Sequence, residues 1–470
     1  MNAVAIDAVP LIDAVPLVVD LDGTLVKTDL LIESVLALLR QHPLYLFSLP
    51  LWMLHGRARF KQKICSMVSL DISALPWRTQ FIDDLIEQRA QGRSLVLATA
   101  SDMQIARRVA DRLNLFDSVF ASDGAVNLSG EAKRDCLVRE FGANCFDYAA
   151  DGGGVGKPDR AVWAAARNSI QVTTGSHKRH AALFLKALRP AHWLKNLLVF
   201  VPLIAAHRLF DLAAIGKSLV AFLAFGLCAS SGYLLNDLLD LEADRHHPKN
   251  RLRPFASGDL PLSYALMAIP LLLLAGCALG AAVSPVLFLI LLIYFGMSAG
   301  YSLRIKRIAI LDVLFLASLY TVRIMAGTAA TGIGSSHWLL AFTTFLFFSL
   351  ALVKRYGELV IMRKVDGANA RARGYELSDG ELLASMGTAS GYLSVLVLAL
   401  YIATNNAEAL YAHPHLLWVL CPLLLYWISH VWLTAHRGQM HHDPVVFATH
   451  DRTSGILILM MVATALLAIG

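Results

Sequence analysis

Charge is scarce in this sequence. Asp, Glu, Lys and Arg make up only 16% of its 470 residues, against 56% apolar side chains. An ordinary soluble domain is about a quarter charged. The shortfall excludes a disordered chain, a coiled coil and a plain soluble enzyme. Paired cysteines are missing too. Cys65, Cys136, Cys145, Cys228, Cys277 and Cys421 are scattered with no C-x-x-C, which points to packing residues and away from a disulfide framework or a zinc site. The first residues lack a basic n-region and carry Asp7 and Asp13, so no signal peptide is expected there. The net charge of +6 is a modest basic excess. In a membrane protein such an excess belongs to cytoplasmic loops, so no nucleic-acid partner is expected.

What is present divides into two halves. A tandem hexapeptide, Ile6-Asp7-Ala8-Val9-Pro10-Leu11 and Ile12-Asp13-Ala14-Val15-Pro16-Leu17, reads as a local duplication. It leads into Pro16-Leu17-Val18-Val19-Asp20, a short apolar run expected as a buried strand. An apolar helical stretch is expected from Leu30 to about Leu70, a second strand over Ser94–Thr99 and a helix over Met103–Leu113. A third strand is expected to end at Asp151. Strands alternating with helices predict a parallel sheet. The small polar run Gln171–Ser176 is read as leading into a linker.

From Leu194 onward, apolar runs of roughly 16–23 residues recur, long enough to cross about 30 Å of hydrocarbon. Nine are expected, centred near residues 202, 226, 271, 293, 320, 347, 393, 425 and 462. Segments 237–261, 304–309, 354–381 and 436–453 together hold fifteen Lys and Arg, whereas the opposite loops hold only Arg208 and Lys217. That asymmetry orients the four basic segments, and the N-terminal half, toward the cytoplasm. A multi-pass protein of the inner membrane is expected.

Val18-Val19-Asp20-Leu21-Asp22-Gly23-Thr24-Leu25 is the sharpest motif in the first half. Two aspartates two residues apart at a strand end point to the same side of the sheet. The first can attack phosphorus and the second can protonate the leaving oxygen. The carboxyl end of a parallel sheet is where open α/β folds bind ligands. The D-x-D-G-T run resembles the haloacid dehalogenase (HAD) superfamily, over roughly residues 16–170. The resemblance implies a Rossmann-like α/β domain, an aspartyl-phosphate intermediate and a Mg²⁺ ion. It assigns Thr99 to the phosphate, Lys133 to its countercharge, Asp20 and Asp151 to the metal, and residues 30–77 to a helical cap. The family's fourth motif, G-D-x-x-x-D, is met only in part. After Ala150-Asp151-Gly-Gly-Gly-Val155 the next acid is Asp159, so either residues are inserted or one carboxylate is missing.

The second constellation runs from Asn236-Asp237 through Asp240, Asp244, Arg245 and Pro248 to Arg251, Arg253 and Pro254. On a helix Asn236, Asp240 and Asp244 share one face, with Asp237 three residues before Asp240. Clustered carboxylates repel one another and suit Mg²⁺, which bridges carboxylates to substrate phosphates. N-D-x-x-D-x-x-x-D followed by R-x-H-P and R-x-R-P resembles the first aspartate motif of the UbiA superfamily of intramembrane prenyltransferases, over about residues 185–470. The resemblance implies nine transmembrane helices. It implies a metal held by Asn236, Asp237, Asp240, Asp244 and Asp312, the last being the surviving acid of a second motif. It also implies a substrate site drawn from Lys195, Asn196, Arg245, Arg253, Tyr301, Lys306, Arg307, Arg323, Lys354 and Arg355, with Asp237 and Asp240 catalytic. Arg189–Asn196, Lys354–Leu359 and the run from His442 to Arg452 look most like the branch containing polyprenyl-phosphate phosphoribosyltransferases.

The expected organisation is a HAD-like domain over residues 1–175, a linker over 176–188 and an all-α polytopic transferase domain over 189–470. Transfer of phosphoribose from phosphoribosyl diphosphate (PRPP) to a polyprenyl phosphate is expected, with a fused phosphatase acting on the product. Aromatic prenylation from a prenyl diphosphate and a non-catalytic lipid-phosphate carrier are the alternatives. The apolar cap run Leu44–Leu54 is expected to pack in the cap and also to meet the lipid bilayer.

Overall fold

The computed structural model describes residues 15–151, 159–172, 177–334, 336–365, 371–372, 374–404, 410–440 and 444–469. The hexapeptide repeat, the glycine run after Asp151, and His442 and Asp443 lie largely or wholly outside these. The described chain folds as two compact units. One comprises residues up to 187 together with 237–267, and the other comprises 188–236 and 268–470.

The first unit is built on a five-stranded sheet of β1 (Leu17–Val19), β2 (Leu95–Asp102), β3 (Ser118–Ser122), β4 (Asp147–Asp151) and β5 (Ser169–Val172), ordered β3-β2-β1-β4-β5. All its pairings are parallel. Strand order therefore reverses beside β1, and the crevice at such a reversal is where α/β sheets hold ligands. β1 is fully buried, Leu17, Val18 and Val19 being 0% exposed, which explains its unbroken apolar sequence. Between β1 and β2 the chain forms α1 (Leu30–Gln41), a 3₁₀ turn Pro43–Phe47, α2 (Leu49–Met53) and α3 (Arg57–Met67), then returns to α4 (Thr79–Ala90). The excursion leaves and rejoins the core at one point, where Val26 bridges both Asp22 and Trp77. Leu38, Phe60, Ile64 and Val68 form its own small core. The helices α5 (Met103–Leu113), α6 (Glu131–Phe141) and α7 (Arg160–Ala165) complete the α/β alternation.

The expected linker is not extended. Residues 177–187 form α8 (His177–Ala187), as its Ala- and Leu-rich composition favours. Nor does the unit end there, because 237–267, which lies between two apolar helices in sequence, belongs to it.

The second unit is helical. Eight helices among the described residues are long and apolar enough to cross a membrane. They are α10 (Leu212–Leu239), α12 (Leu262–Val283), α13 (Pro285–Leu303), α14 (Leu311–Thr331), α15 (His337–Val365), α16 (Gly380–Ile402) and the helices Leu420–His436 and Arg452–Ile469, with α9 (Val201–Ala205) and α11 (Leu241–His246) short. The ninth expected span, near residue 202, is not among these eight; its residues form a 3₁₀ run Pro190–Phe200 followed by α9. Pro190 and Pro202 each start a new segment there, because proline fits the first turn of a helix but not its interior. Gly327 of α14 lies against this segment, and a Cβ at 327 would collide with the Val199 carbonyl.

Candidate functional site

In the first unit, Asp20 follows the last residue of β1, and Lys133 reaches it from the first turn of α6. Lys133 Nζ donates to Asp20 Oδ1 at 2.9 Å, to Tyr148 Oη at 3.0 Å and to Asp159 Oδ1 at 3.1 Å. Burial works against the Lys133 charge, but Asp20, Tyr148 and Asp159 around it push its pKa well above the lysine range. Burial in turn pushes the Asp20 carboxyl up, against the pull of Lys133. Asp22 accepts from the Leu30 amide at 2.9 Å and from Ser101 Oγ at 2.6 Å. Burial, with Asp29 nearby, raises its carboxyl to about 7. A carboxyl that keeps its proton near neutrality suits a general acid, while a carboxylate salt-bridged to lysine suits a nucleophile.

Gly23 adopts φ +75°, and a Cβ there would lie 3.0 Å from Asp151 Oδ2. Glycine thus lets the turn after Asp22 lie against the Asp151 carboxylate. Thr24 Oγ1 accepts from the Asp151 amide at 2.8 Å, which ties β4 to the same turn. Thr99 Oγ1 accepts from the Ser101 amide at 3.0 Å. Asp20, Asp22, Thr99, Lys133 and Asp151 are therefore ordered by the three adjacent strands β2, β1 and β4 and by α6 beside them. Asp159, beyond the glycine run, sits beside Lys133. Lys61 comes over from α3 to donate to Ala100 O and Asn127 Oδ1, each at 2.7 Å. Burial lowers its pKa against the pull of Asp22 and Asp29. Ser101, Tyr148 and Lys61 carried no motif that would have singled them out.

The same unit carries the second acidic motif. The α-helical run is interrupted at Asp240, between α10 and α11, though the Asp244 amide still donates to Asp240 O at 2.7 Å. Arg253 Nη1 lies between two of the expected metal ligands, 3.3 Å from Asp237 Oδ1 and 2.6 Å from Asp244 Oδ2. Asn250 Nδ2 donates to the other Asp244 oxygen at 3.0 Å. Burial raises the Asp244 carboxyl, and Arg253 opposes the shift. The repulsion expected among these carboxylates is thus met by a guanidinium. Among the described residues no group of three or more His, Cys, Asp or Glu side chains converges as a metal shell. The carboxylate oxygens of Asp237 and Asp240 are nonetheless of the type Mg²⁺ takes, and the guanidinium stands where a cation is favoured. Arg245 is not an open substrate ligand. Its guanidinium holds Glu33 in a bidentate pair at 2.6 and 2.8 Å.

In the helical unit, Asp312 differs from the expected metal ligand. It is fully buried, with Oδ2 accepting from Arg355 Nε and Oδ1 from Tyr375 Oη, both at 2.5 Å. Arg355 also reaches Glu358 Oε2 at 2.6 Å and Tyr301 Oη at 2.7 Å. Arg355 and Tyr301, expected on substrate, are therefore members of a buried network that uses both Asp312 oxygens. Lys306 Nζ donates to Asn236 Oδ1 at 3.3 Å, while Arg307 is exposed and Lys354 half-buried.

Arg323 is deeply buried with no carboxylate partner among the described residues. It donates to Asn196 Oδ1 and Tyr294 Oη, each at 3.0 Å, and to the Leu319 carbonyl. The Phe225, Tyr294 and Tyr320 rings surround it at 5.1, 5.0 and 5.7 Å, and Lys195 lies 5.3 Å from the Tyr320 ring. Asn196 Nδ2 is buried without a hydrogen-bond partner among the described residues. A buried, unpaired donor beside an uncompensated cation is the chemistry of an anion site.

These apolar helices, with charged groups buried among them and an acidic motif at a helix end, define a multi-pass membrane protein. The UbiA prenyltransferase family profile matches residues 197–451, more than half of the chain, and the chain belongs to that family. An uncharacterized protein, y4nM, of Sinorhizobium fredii is 34% identical over 93% of this chain and 88% of its own length. The decaprenyl-phosphate phosphoribosyltransferase of Mycolicibacterium smegmatis is 36% identical over 43% of this chain and 64% of its own. A solved UbiA homolog from Archaeoglobus fulgidus, bound to DMAPP and Mg²⁺, aligns with 61% of this chain and 98% of its own at 19% identity and a TM-score of 0.47.

Proposed function

We propose that this UbiA-family transferase moves phosphoribose from PRPP to a polyprenyl phosphate, and that its N-terminal domain is a HAD-type phosphatase that removes the 5-phosphate from the product. The observation that carries the first half is the 36% identity to a decaprenyl-phosphate phosphoribosyltransferase over 207 residues of the C-terminal part of the chain. In this reaction a phosphate oxygen of the lipid forms a bond to C1 of the ribose. The C1–O bond to diphosphate breaks, and diphosphate leaves with the electron pair. Asp237 and Asp240 would hold Mg²⁺, which would supply charge neutralisation for the departing diphosphate. Arg323, Lys195 and the unpartnered Asn196 Nδ2 would offer an anion cationic and donor groups set among aromatic rings.

The second half rests on the Asp20–Lys133 pair and on Asp22, whose carboxyl burial raises to about 7. Asp20 would attack the phosphorus of the ribose 5-phosphate, the ribose oxygen would leave with the Asp22 proton, and water would cleave the aspartyl phosphate. The Asp20 and Asp151 carboxylates have the oxygen chemistry for Mg²⁺ on the phosphate. In the cap, Leu44, Phe47 and Leu54 are about four-fifths exposed, at 79, 81 and 82%. An apolar patch of this kind, on a chain anchored in a membrane, would lean on lipid and receive a lipid-linked phosphate.

The test is a product analysis. Wild-type protein given PRPP and polyprenyl phosphate is expected to yield a lipid-linked ribose without the 5-phosphate. Asp20→Asn should perform the first transfer and accumulate the 5-phosphate. Identical lipid products from the two, both phosphorylated, would remove the phosphatase role.

A further inference from the structure

Helix α1 connects the two acidic motifs of the first unit. At its start, the Leu30 amide is bonded to Asp22, the second aspartate of the D-x-D-G-T run. One turn on, Glu33 holds Arg245, with side chains only 6 and 7% exposed. Seven residues beyond Glu33, on the same helix face, Arg40 pairs with Glu242 at 3.2 Å. Beside the helix, Lys27 pairs with Asp259 at 3.2 Å and Asp71 with His246 at 3.1 Å. Gly258 adopts φ +71°, and a Cβ there would lie 2.6 Å from the Cβ of Lys27. The Gly258 side of this contact is closed to a larger residue.

Arg245 does more than pair with Glu33. Its Nε donates to Ala256 O at 3.1 Å, so it also closes the turn that runs from α11 to residue 256. That turn carries Arg253 onto Asp237 and Asp244. A bidentate guanidinium–carboxylate pair fixes both distance and orientation, unlike a single charge contact. The chain of fixed contacts runs Asp22, α1, Glu33, Arg245, Arg253, Asp237.

We infer that Glu33 is a positioning residue for the transferase: by clamping Arg245 it sets the loop that presents Arg253 to the Asp237–Asp244 carboxylates, so the N-terminal domain is a working part of the transferase site. This rests on reading residues 236–253 as the diphosphate end of that site. The two stand apart in the test, because Asp237→Ala probes the reading and Glu33→Gln probes the clamp.

The experiment uses the full chain in membranes, with PRPP and a short polyprenyl phosphate as substrates and limited trypsin digestion as a second readout. Glu33→Gln should raise KM for PRPP about tenfold while leaving KM for the lipid phosphate unchanged. Trypsin should cut after Lys249 or Arg251 several-fold faster, with the rest of the chain intact. Arg245→Lys keeps the charge but loses the fork, and should shift both readouts in the same direction. It also covers the case in which Glu33→Gln does not fold. The double variant Glu33→Gln with Arg245→Lys should lose no more than the worse single one, because one interaction is removed once. Unchanged KM for PRPP and unchanged cleavage in both single variants overturn the inference, as would fully additive losses in the double variant.

Discussion

At the scale of single residues, the two halves of the protein treat buried charge differently. The Asp20–Lys133 contact is a buried pair in which the lysine also reaches Tyr148 and Asp159. The Asp312–Arg355 contact is structural, with both carboxylate oxygens committed. Asp312→Asn leaves Arg355 buried against a neutral partner, and losing one member of a buried pair costs about 3–5 kcal/mol. Thermal unfolding of the detergent-solubilised protein is expected to show a lower midpoint for this variant, and an unchanged midpoint would mean the network is not structural. Asp237→Ala and Asp240→Ala are expected to unfold normally but lose transfer by at least ~100-fold, the scale of removing one preorganised electrostatic group. Chelation of divalent cations should abolish transfer, and added Mg²⁺ should restore it. Near-normal transfer by both aspartate variants would move the site elsewhere.

At the scale of elements, β1, β2 and β4 were legible because each places an apolar run in a fully buried position. β3 and β5 were not. Ser118–Ser122 and Ser169–Val172 are edge strands with serines and half-exposed faces, and they lack the unbroken apolar run that marks a central strand. The segment at 190–205 has the hydropathy of a span, but prolines at 190 and 202 divide it. Gly327→Ala is expected to force α14 away from this segment, since an added methyl meets backbone and not a movable side-chain tip. Overpacking of this kind costs typically ~1–3 kcal/mol, readable as a lower yield of folded protein in mild detergent; wild-type yield and melting would show that the contact is loose. At the candidate sites, the motif residues were legible from spacing alone. Their partners were not, because Glu33 and Arg245 are 212 residues apart and Lys133 and Asp20 are 113 apart, and no local pattern records such a meeting.

At the scale of the whole molecule, the sequence divides near residue 188, but the compact units do not, since 237–267 folds with the N-terminal half. A chain segment bounded by two apolar helices is thereby shared in structure with the α/β domain, which gives a physical reason to fuse the two on one polypeptide. The charge asymmetry predicts sidedness. A cysteine at Arg251 should be shielded from an impermeant reagent in intact cells, and one at Glu408, which lies outside the described residues, should react. The reverse pattern would invert the topology. The central claim is the identity of the transferred group. Purified protein offered ribose-labelled PRPP with polyprenyl phosphate, and in parallel a labelled prenyl diphosphate with an aromatic acid, tests it most directly. The account predicts label from ribose in a lipid product and none in a prenylated aromatic acid; a labelled aromatic product with no lipid-linked ribose would contradict it.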